Sequence, residues 1–382
     1  MKRILLKGYY GFGNLGDDIL MKVSYTILKE KYPDASISIF SENTPNNPNF
    51  TDTARFNHYI RALLENELPL VDWTDQSHYD LLFNGGGGIY KDHSYGNWQY
   101  IALNAVARRL SPQRIRQLEN SVRERANKPS PISFDRRVGF GLSIGPFRKS
   151  SPSYVRKVSE LGSYDELFVR DEASMNFLKT TGFASNYYRT TDIAFLSDYW
   201  LPPSLTVNKS TDPRNIGVIL LDWHENNDIY FKNIKQVVKQ LEQDGYEVSF
   251  FSFQEGYDQR YQGFFQGKVI AWNPNKYSLE QFLFLLRKQH LIITARAHGA
   301  IIGACLGVPS ICLGVTLKLE EVSKMLLRSS SLIAPPFCPT DIVPAVQKMV
   351  GNYPDYLDSL QVDLCENKKQ IDASVKKLLN TL

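Results

Sequence analysis

The chain of 382 residues carries only four cysteines, Cys305, Cys312, Cys338 and Cys365, and no pair of them has C-x-x-C spacing. That excludes a disulfide-built scaffold and a thiolate metal knuckle, and the cysteines read as the reduced thiols of a cytoplasmic chain. The six histidines are scattered without H-x-x-x-H or H-E-x-x-H spacing, so no metal site is expected. Charge of one sign is also lacking: 44 Lys and Arg against 40 Asp and Glu leave a formal +4. So small a surplus argues against a nucleic-acid partner, and any anion must be gripped locally. Long apolar runs are missing as well. The longest uncharged stretch, residues 299–317, is interrupted by Gly307 and Pro309 and reads as a helix, a tight turn and a strand rather than a transmembrane segment. At the start, Lys7 ends an apolar run of three residues, which predicts no secretory leader there.

What the sequence does contain is an alternation of short apolar runs with longer amphipathic stretches, the pattern of an α/β fold with parallel sheets. Strands are expected at 3–7, 36–40, 81–84, 138–144 and 166–169, and helices at 18–31 and 173–180, the latter closed by Gly182. The basic stretch 108–137 reads as a helix followed by a loop. Composition shifts at 197–215, where Pro202 and Pro203 lead a polar linker. Beyond it the alternation restarts, with strands expected at 216–221, 246–253, 268–272, 291–294 and 310–314. The prediction is two doubly wound, Rossmann-like domains, 1–200 and 215–350, facing a cleft with ligands at the carboxyl ends of their strands. A helical tail, 353–382, is expected to pack back on the first domain.

Several strand ends carry chemistry. "GYYGFGNLGDD", residues 8–18, puts Gly11, Gly13 and Gly16 between a strand and a helix, where backbone can approach a ligand and helix amides are free. Asp17 and Asp18 at the helix entry would repel a pyrophosphate, so a dinucleotide site is disfavoured. A glycine turn capped by an Asp is the plainer alternative. "NGGGGIYKD", residues 84–92, reads as a second such turn, its glycines leaving room for a ligand or a crossing chain. Asp92 there can bond a sugar hydroxyl or cap a helix. "GLSIGPFRKS" delivers Arg148 to the same rim, and "VRDEAS" places Arg170 at a strand end, as an anion ligand or as an ion-pair partner for Asp171 and Glu172. In "ITARAHGAIIGACLGVPSICLG", residues 293–314, Arg296, His298 and the helix opening at Gly299 converge, with Lys318 past the next strand, as suits a small dense anion. Tyr9, Tyr10, Phe12, Tyr90 and Trp98 lie near the cleft by motif position, as core or as sugar platforms.

Taken in order, "GYYGFGNLGDD", "NGGGG", "VRDEAS" with "TTGF", "TDIAFL" and "RAHGAIIGACLGVPSI" with Lys318 resemble the polysaccharide pyruvyl transferase family over most of the chain. Family members often have an Asp-Glu pair where Asp17 and Asp18 stand, and a Ser or Arg near the Arg and His motif where Ala295 and Ala297 stand. The resemblance implies a fold similar to the type B glycosyltransferases. It also implies transfer of the enolpyruvyl unit of phosphoenolpyruvate to a sugar as a cyclic ketal, with no cofactor.

On that basis Arg170, Arg296, Lys318, Arg148 and Gly299 are expected to hold phosphoenolpyruvate. His298 is expected to act as general acid and Asp17 to orient or deprotonate the acceptor, with Gly13, Asn14, Gly16, Gly86, Gly87 and Asp92 lining the acceptor side. The acceptor would be a sugar or glycan precursor, free or lipid-linked, and the protein would work in the cytoplasm or at the membrane face where such precursors are built. The rivals are a type B glycosyltransferase using a nucleotide sugar and a non-catalytic sugar-binding protein.

Overall fold

The structure is a computed structural model that describes residues 1–41, 60–61, 63–64, 68–72, 74–90, 132–145, 147, 152–183, 185–205, 213–222 and 227–382. Asp92, Trp98, Arg148 and most of the basic stretch 108–137 lie outside them.

Two all-parallel sheets organise the chain. The first joins β1 (Arg3–Lys7), β2 (Ser36–Phe40), β3 (Leu70–Val71), β4 (His78–Tyr90), β5 (Ser133–Ile144), β6 (Glu166–Val169) and β7 (Asn186–Arg189) in the order β3-β2-β1-β4-β5-β6-β7. The second joins β8 (Asn215–Ile219), β9 (Glu247–Ser252), β10 (Val269–Ala271), β11 (Leu291–Thr294), β12 (Ser310–Leu313) and β13 (Ser330–Ile333) in the order β10-β9-β8-β11-β12-β13. Central strands carry unbroken apolar runs because both faces are covered: Ile4, Leu5 and Leu6 of β1 are all buried, as are Leu291, Ile292 and Ile293 of β11. In each sheet the strand order reverses once, between β1 and β4 and between β8 and β11. The carboxyl ends at such reversals open the crevices that α/β sheets use for ligands.

The helices follow local chemistry. α1 (Leu15–Lys31) starts on Asn14, whose side chain accepts from the Gly16 N–H, and α2 (Pro152–Leu161) leads into β6. α3 (Glu172–Thr181) is capped by Asp171 and ends on Gly182 in the left-handed region, φ 66°. The second unit contributes α4 (Asn227–Gln243), α5 (Gln259–Phe264), α6 (Leu279–Arg287), α7 (Ala297–Cys305), α8 (Leu317–Met325) and α9 (Pro339–Gly351). α10 (Tyr353–Thr381) then returns to the first unit. Thr191 Oγ1 donates to Asn367 at 2.7 Å, Lys368 pairs with Asp198 at 2.5 Å, and Tyr32 and Arg136 donate to carbonyls at the end of the chain. Arg328, from the second unit, pairs with Asp363 of the same helix at 2.9 Å. Buried apolar side chains of both units form one continuous cluster. Among the described residues no helix is long and apolar enough to cross a membrane.

Three expectations need correction. The glycines at 85–88 are not a turn after a strand: they belong to β4, which continues to Tyr90. Gly86 and Gly87 have φ of +70° and +87°, and pairing with β5 shifts register after Gly87, so the strand bulges there without ending. Residues 133–137, expected in a loop, open β5. β3, β7 and β13 were not expected at all; each is a short sheet edge without a run of fully buried residues.

Candidate active site

The two strand-order reversals face each other, and the turn after β1 is bonded to the end of β9. The Leu15 N–H donates to the Phe253 carbonyl at 2.9 Å, and Asn14 Nδ2 meets Gln254 Oε1 at 3.4 Å. Deeper, Trp272 Nε1 donates to Asp18 Oδ2 at 2.8 Å. Asp18 is fully buried, and burial, reinforced by neighbouring Asp17, pushes its carboxyl well above the usual range despite the bond from Trp272. Asp18 is thus a strut between the units, and Asn14 combines a helix cap with a clasp. Asp17, one residue away, stays half-buried, and a Cβ on Gly87 would lie 3.3 Å from its Oδ1.

Two cations and an imidazole of the second unit sit on this floor. After β11, Thr294 Oγ1 accepts from the Arg296 N–H at 3.0 Å and donates to the Arg296 carbonyl at 2.9 Å, which pins the turn into α7. Gly299 is required by that turn, since a Cβ there would come within 2.3 Å of Thr294 Oγ1. Its buried position supports the turn, with its Cβ direction already filled by protein. His298 projects from the first turn of α7 onto Gly16, where a Cβ would meet its Nδ1 at 2.0 Å. Lys318, from the first turn of α8, passes over Gly88, where a Cβ would lie 2.6 Å from Nζ. These glycines therefore admit crossing side chains from the opposite unit. Gly13, at φ +63°, has open space beside it, whereas Gly86 is backed by Leu20 and Ile193.

Arg296 is 13% exposed and pairs with the fully buried Asp258 at 2.5 Å, while Ser252 Oγ donates to the other oxygen of that carboxylate. The buried Arg296 Nε has no partner. Arg170 is placed differently, being 3% exposed and engaged by Asp192 and, at 3.7 Å, by Asp171. Asp192 is buried, which alone would oppose ionisation, but Arg170, His298 and the Ala194 N–H hold its carboxyl well below the usual range. His298 Nε2 lies 3.6 Å from Asp192 Oδ2. The structure thus brings Asp17, His298, Lys318 and Arg296 to the seam and sets Arg170 behind His298. At the opening, Tyr9 stacks on Phe12 with centroids 4.3 Å apart, and Tyr257 is exposed. Burial raises both tyrosine hydroxyls above their ordinary value.

The sequence pattern of the family described as polysaccharide pyruvyl transferase matches residues 14–316, a span that contains every one of these seam residues from Asn14 onward except Lys318. The chain belongs to the polysaccharide pyruvyl transferase family. No curated protein matches it significantly in sequence. Among solved structures this pyruvyl transferase family member is similar to the Anabaena protein HepE in complex with UDP-glucose, with a TM-score of 0.56, 11% identity and all of both chains covered. It is also similar to the UDP-GlcNAc 2-epimerase of Neisseria meningitidis (TM-score 0.55, 13% identity, 100% of this chain and 99% of that one). The UDP-GlcNAc 2-epimerase of Methanocaldococcus jannaschii gives the same TM-score, 0.55, at 15% identity, covering 92% and 93%. At such identities the likeness shows the fold, two parallel-sheet α/β domains of the type B glycosyltransferase kind.

Sequence reasoning did not single out Asp192, Asp258, Gln254 or Trp272 as site residues. Asp192 stands inside the quoted "TDIAFL" motif, and that was its one signal. Asp258 and Trp272 are ordinary in sequence and acquire meaning only from what they touch.

Proposed function

We propose that the protein transfers the enolpyruvyl unit of phosphoenolpyruvate to two hydroxyls of a sugar in a glycan or its precursor, forming a cyclic pyruvate ketal and releasing phosphate. The observation that carries this reading is the meeting of Arg296, Lys318 and His298 at the seam of a family member's two units, with a buried guanidinium N–H left over. A buried donor without an acceptor is costly, and a phosphate or carboxylate oxygen would satisfy it. Lys318 supplies a second positive charge for a donor that carries two anionic groups on three carbons.

In the reaction C3 of the donor gains a proton and C2 takes positive character. One sugar hydroxyl adds to C2, the C2–O bond to phosphate breaks, and the second hydroxyl closes the ring. Of the two hydroxyl protons released, one balances the proton gained at C3 and the other leaves with phosphate. His298 serves as general acid toward donor or leaving phosphate, and Asp17, across the seam, orients or deprotonates the acceptor. Arg170, bound to Asp192, takes no direct part in holding the donor. The exposed Tyr9 and Tyr257 rings offer apolar faces for a sugar beside Arg296.

The test is incubation with phosphoenolpyruvate and candidate glycans, reading phosphate release and product mass, with UDP-sugars as the rival donors. His298→Ala is expected to lower turnover by about 100- to 10,000-fold while folding normally. UDP release with glycosylated product, or a His298→Ala protein as active as the wild type, overturns the reading.

A further inference from the structure

The Asp192 carboxylate is divided between three groups. Oδ1 accepts from the Ala194 N–H at 3.0 Å, while Oδ2 is shared by Arg170 Nη1 and His298 Nε2. Its side chain is 1% exposed, so it does not reach a substrate. His298 is 14% exposed, and its Nε2 is buried with no hydrogen-bond partner, 3.6 Å from that oxygen. The other ring nitrogen, Nδ1, is the one lying over Gly16. A buried imidazole N–H facing an ionised carboxylate at this distance needs only a small closure to form a charge-assisted bond, and such bonds are often long in substrate-free sites.

We propose that Asp192 is the positioning residue of His298. The carboxylate, paired with Arg170, accepts a hydrogen bond from the imidazole Nε2–H and fixes the ring so that Nδ1 is the nitrogen offered at the seam. The two partners come from different units: Asp192 follows β7 and His298 opens α7. The arrangement is complete only when the units are together. This inference rests on the pyruvyl transfer reading for its consequence in catalysis, but not for the pairing itself.

The pairing is tested without substrate, by nitrogen-15 NMR of the histidine rings at about pH 9, where free imidazole is neutral. His298 is assigned by the signal lost in His298→Gln. The wild-type protein is expected to show the Nε2–H form alone. Arg170→Met/Asp192→Leu, which removes both buried charges together and so leaves neither unpaired, is expected to show a mixture of the two forms. An Nδ1–H form in the wild type, or the wild-type pattern surviving in the double variant, overturns the proposal. In turnover, Asp192→Asn is expected to lose kcat on the order of 100-fold with KM for phosphoenolpyruvate little changed. A raised KM with kcat intact assigns Asp192 to binding and also overturns it. If no phosphoenolpyruvate is consumed by the wild type, the functional reading fails while the NMR result still decides the pairing.

Discussion

Gly16 shows how one missing Cβ connects sequence to chemistry. It sits in the first turn of α1 outside the left-handed region, so its backbone would accept alanine, which favours helix more. The space beside it is taken by His298: an added Cβ would meet Nδ1 at 2.0 Å, Cγ at 2.4 Å and the His298 Cβ at 2.7 Å. Because the root of the side chain is hit as well as the ring, rotation alone does not relieve the clash. Gly16→Ala is therefore expected to lower the thermal midpoint, as α1 and α7 are pushed apart, and to lose roughly 100-fold in turnover, the cost of about 1 Å of misplacement at a reacting group. A variant with unchanged turnover would show that the imidazole does not work from this position. The neighbouring residues Asp17 and Asp18 look alike in sequence, yet the first reaches the seam and the second is buried against Trp272. Helical rotation of about 100° per residue separates their environments, and no spacing rule said which would face the partner unit.

At the scale of elements, what could be read depended on burial. Strands covered on both faces, such as 3–7, 36–40, 166–169 and 291–294, coincide with their apolar runs. The edges β7 and β13 carry the exposed Asn186 and the half-buried Ser330 and Ser331, so hydropathy gave no sign of them. The glycines of β4 misled for a physical reason: glycine is unfavourable in strands, but here side chains of the same unit fill the space beside Gly85, Gly86 and Gly87, and Lys318 of the opposing unit fills that beside Gly88. One helix end was legible: Gly182, expected to close 173–180, ends α3. α6 opens on a capping box in which the Ser278 hydroxyl accepts from the Gln281 N–H at 3.1 Å and the Gln281 side chain accepts from the Ser278 N–H at 2.9 Å. Ser278→Ala is expected to cost about 1 kcal/mol in a denaturant titration without affecting turnover. A loss much below that would mean that the packing of Phe282, Leu283 and Leu286 fixes this helix end without its cap.

For the whole molecule, the sequence indicated two α/β units and a tail that returns to the first, but not the contacts at their seam. The join is polar at its centre, through Asp18 and Trp272, and lies within the shared apolar cluster, so it ties the relation of the units to pH. The folded Asp18 carboxyl titrates well above the ordinary carboxylate range, chiefly through burial. Between the unfolded and folded titration points the folded protein holds a proton that the unfolded chain has lost, and stability therefore falls as pH rises through that window. Asp18→Asn keeps an oxygen for Trp272 Nε1 and removes the titration. The variant is expected to match the wild type at acid pH and exceed it at alkaline pH, measured as denaturant midpoints over a pH series. Parallel pH curves for the two proteins would mean that Asp18 is ionised within the join, and that water or another group reaches its second oxygen. Should the expected divergence appear, turnover of Asp18→Asn across the same series would separate the stability of the join from the protonation of the seam residues it holds in place.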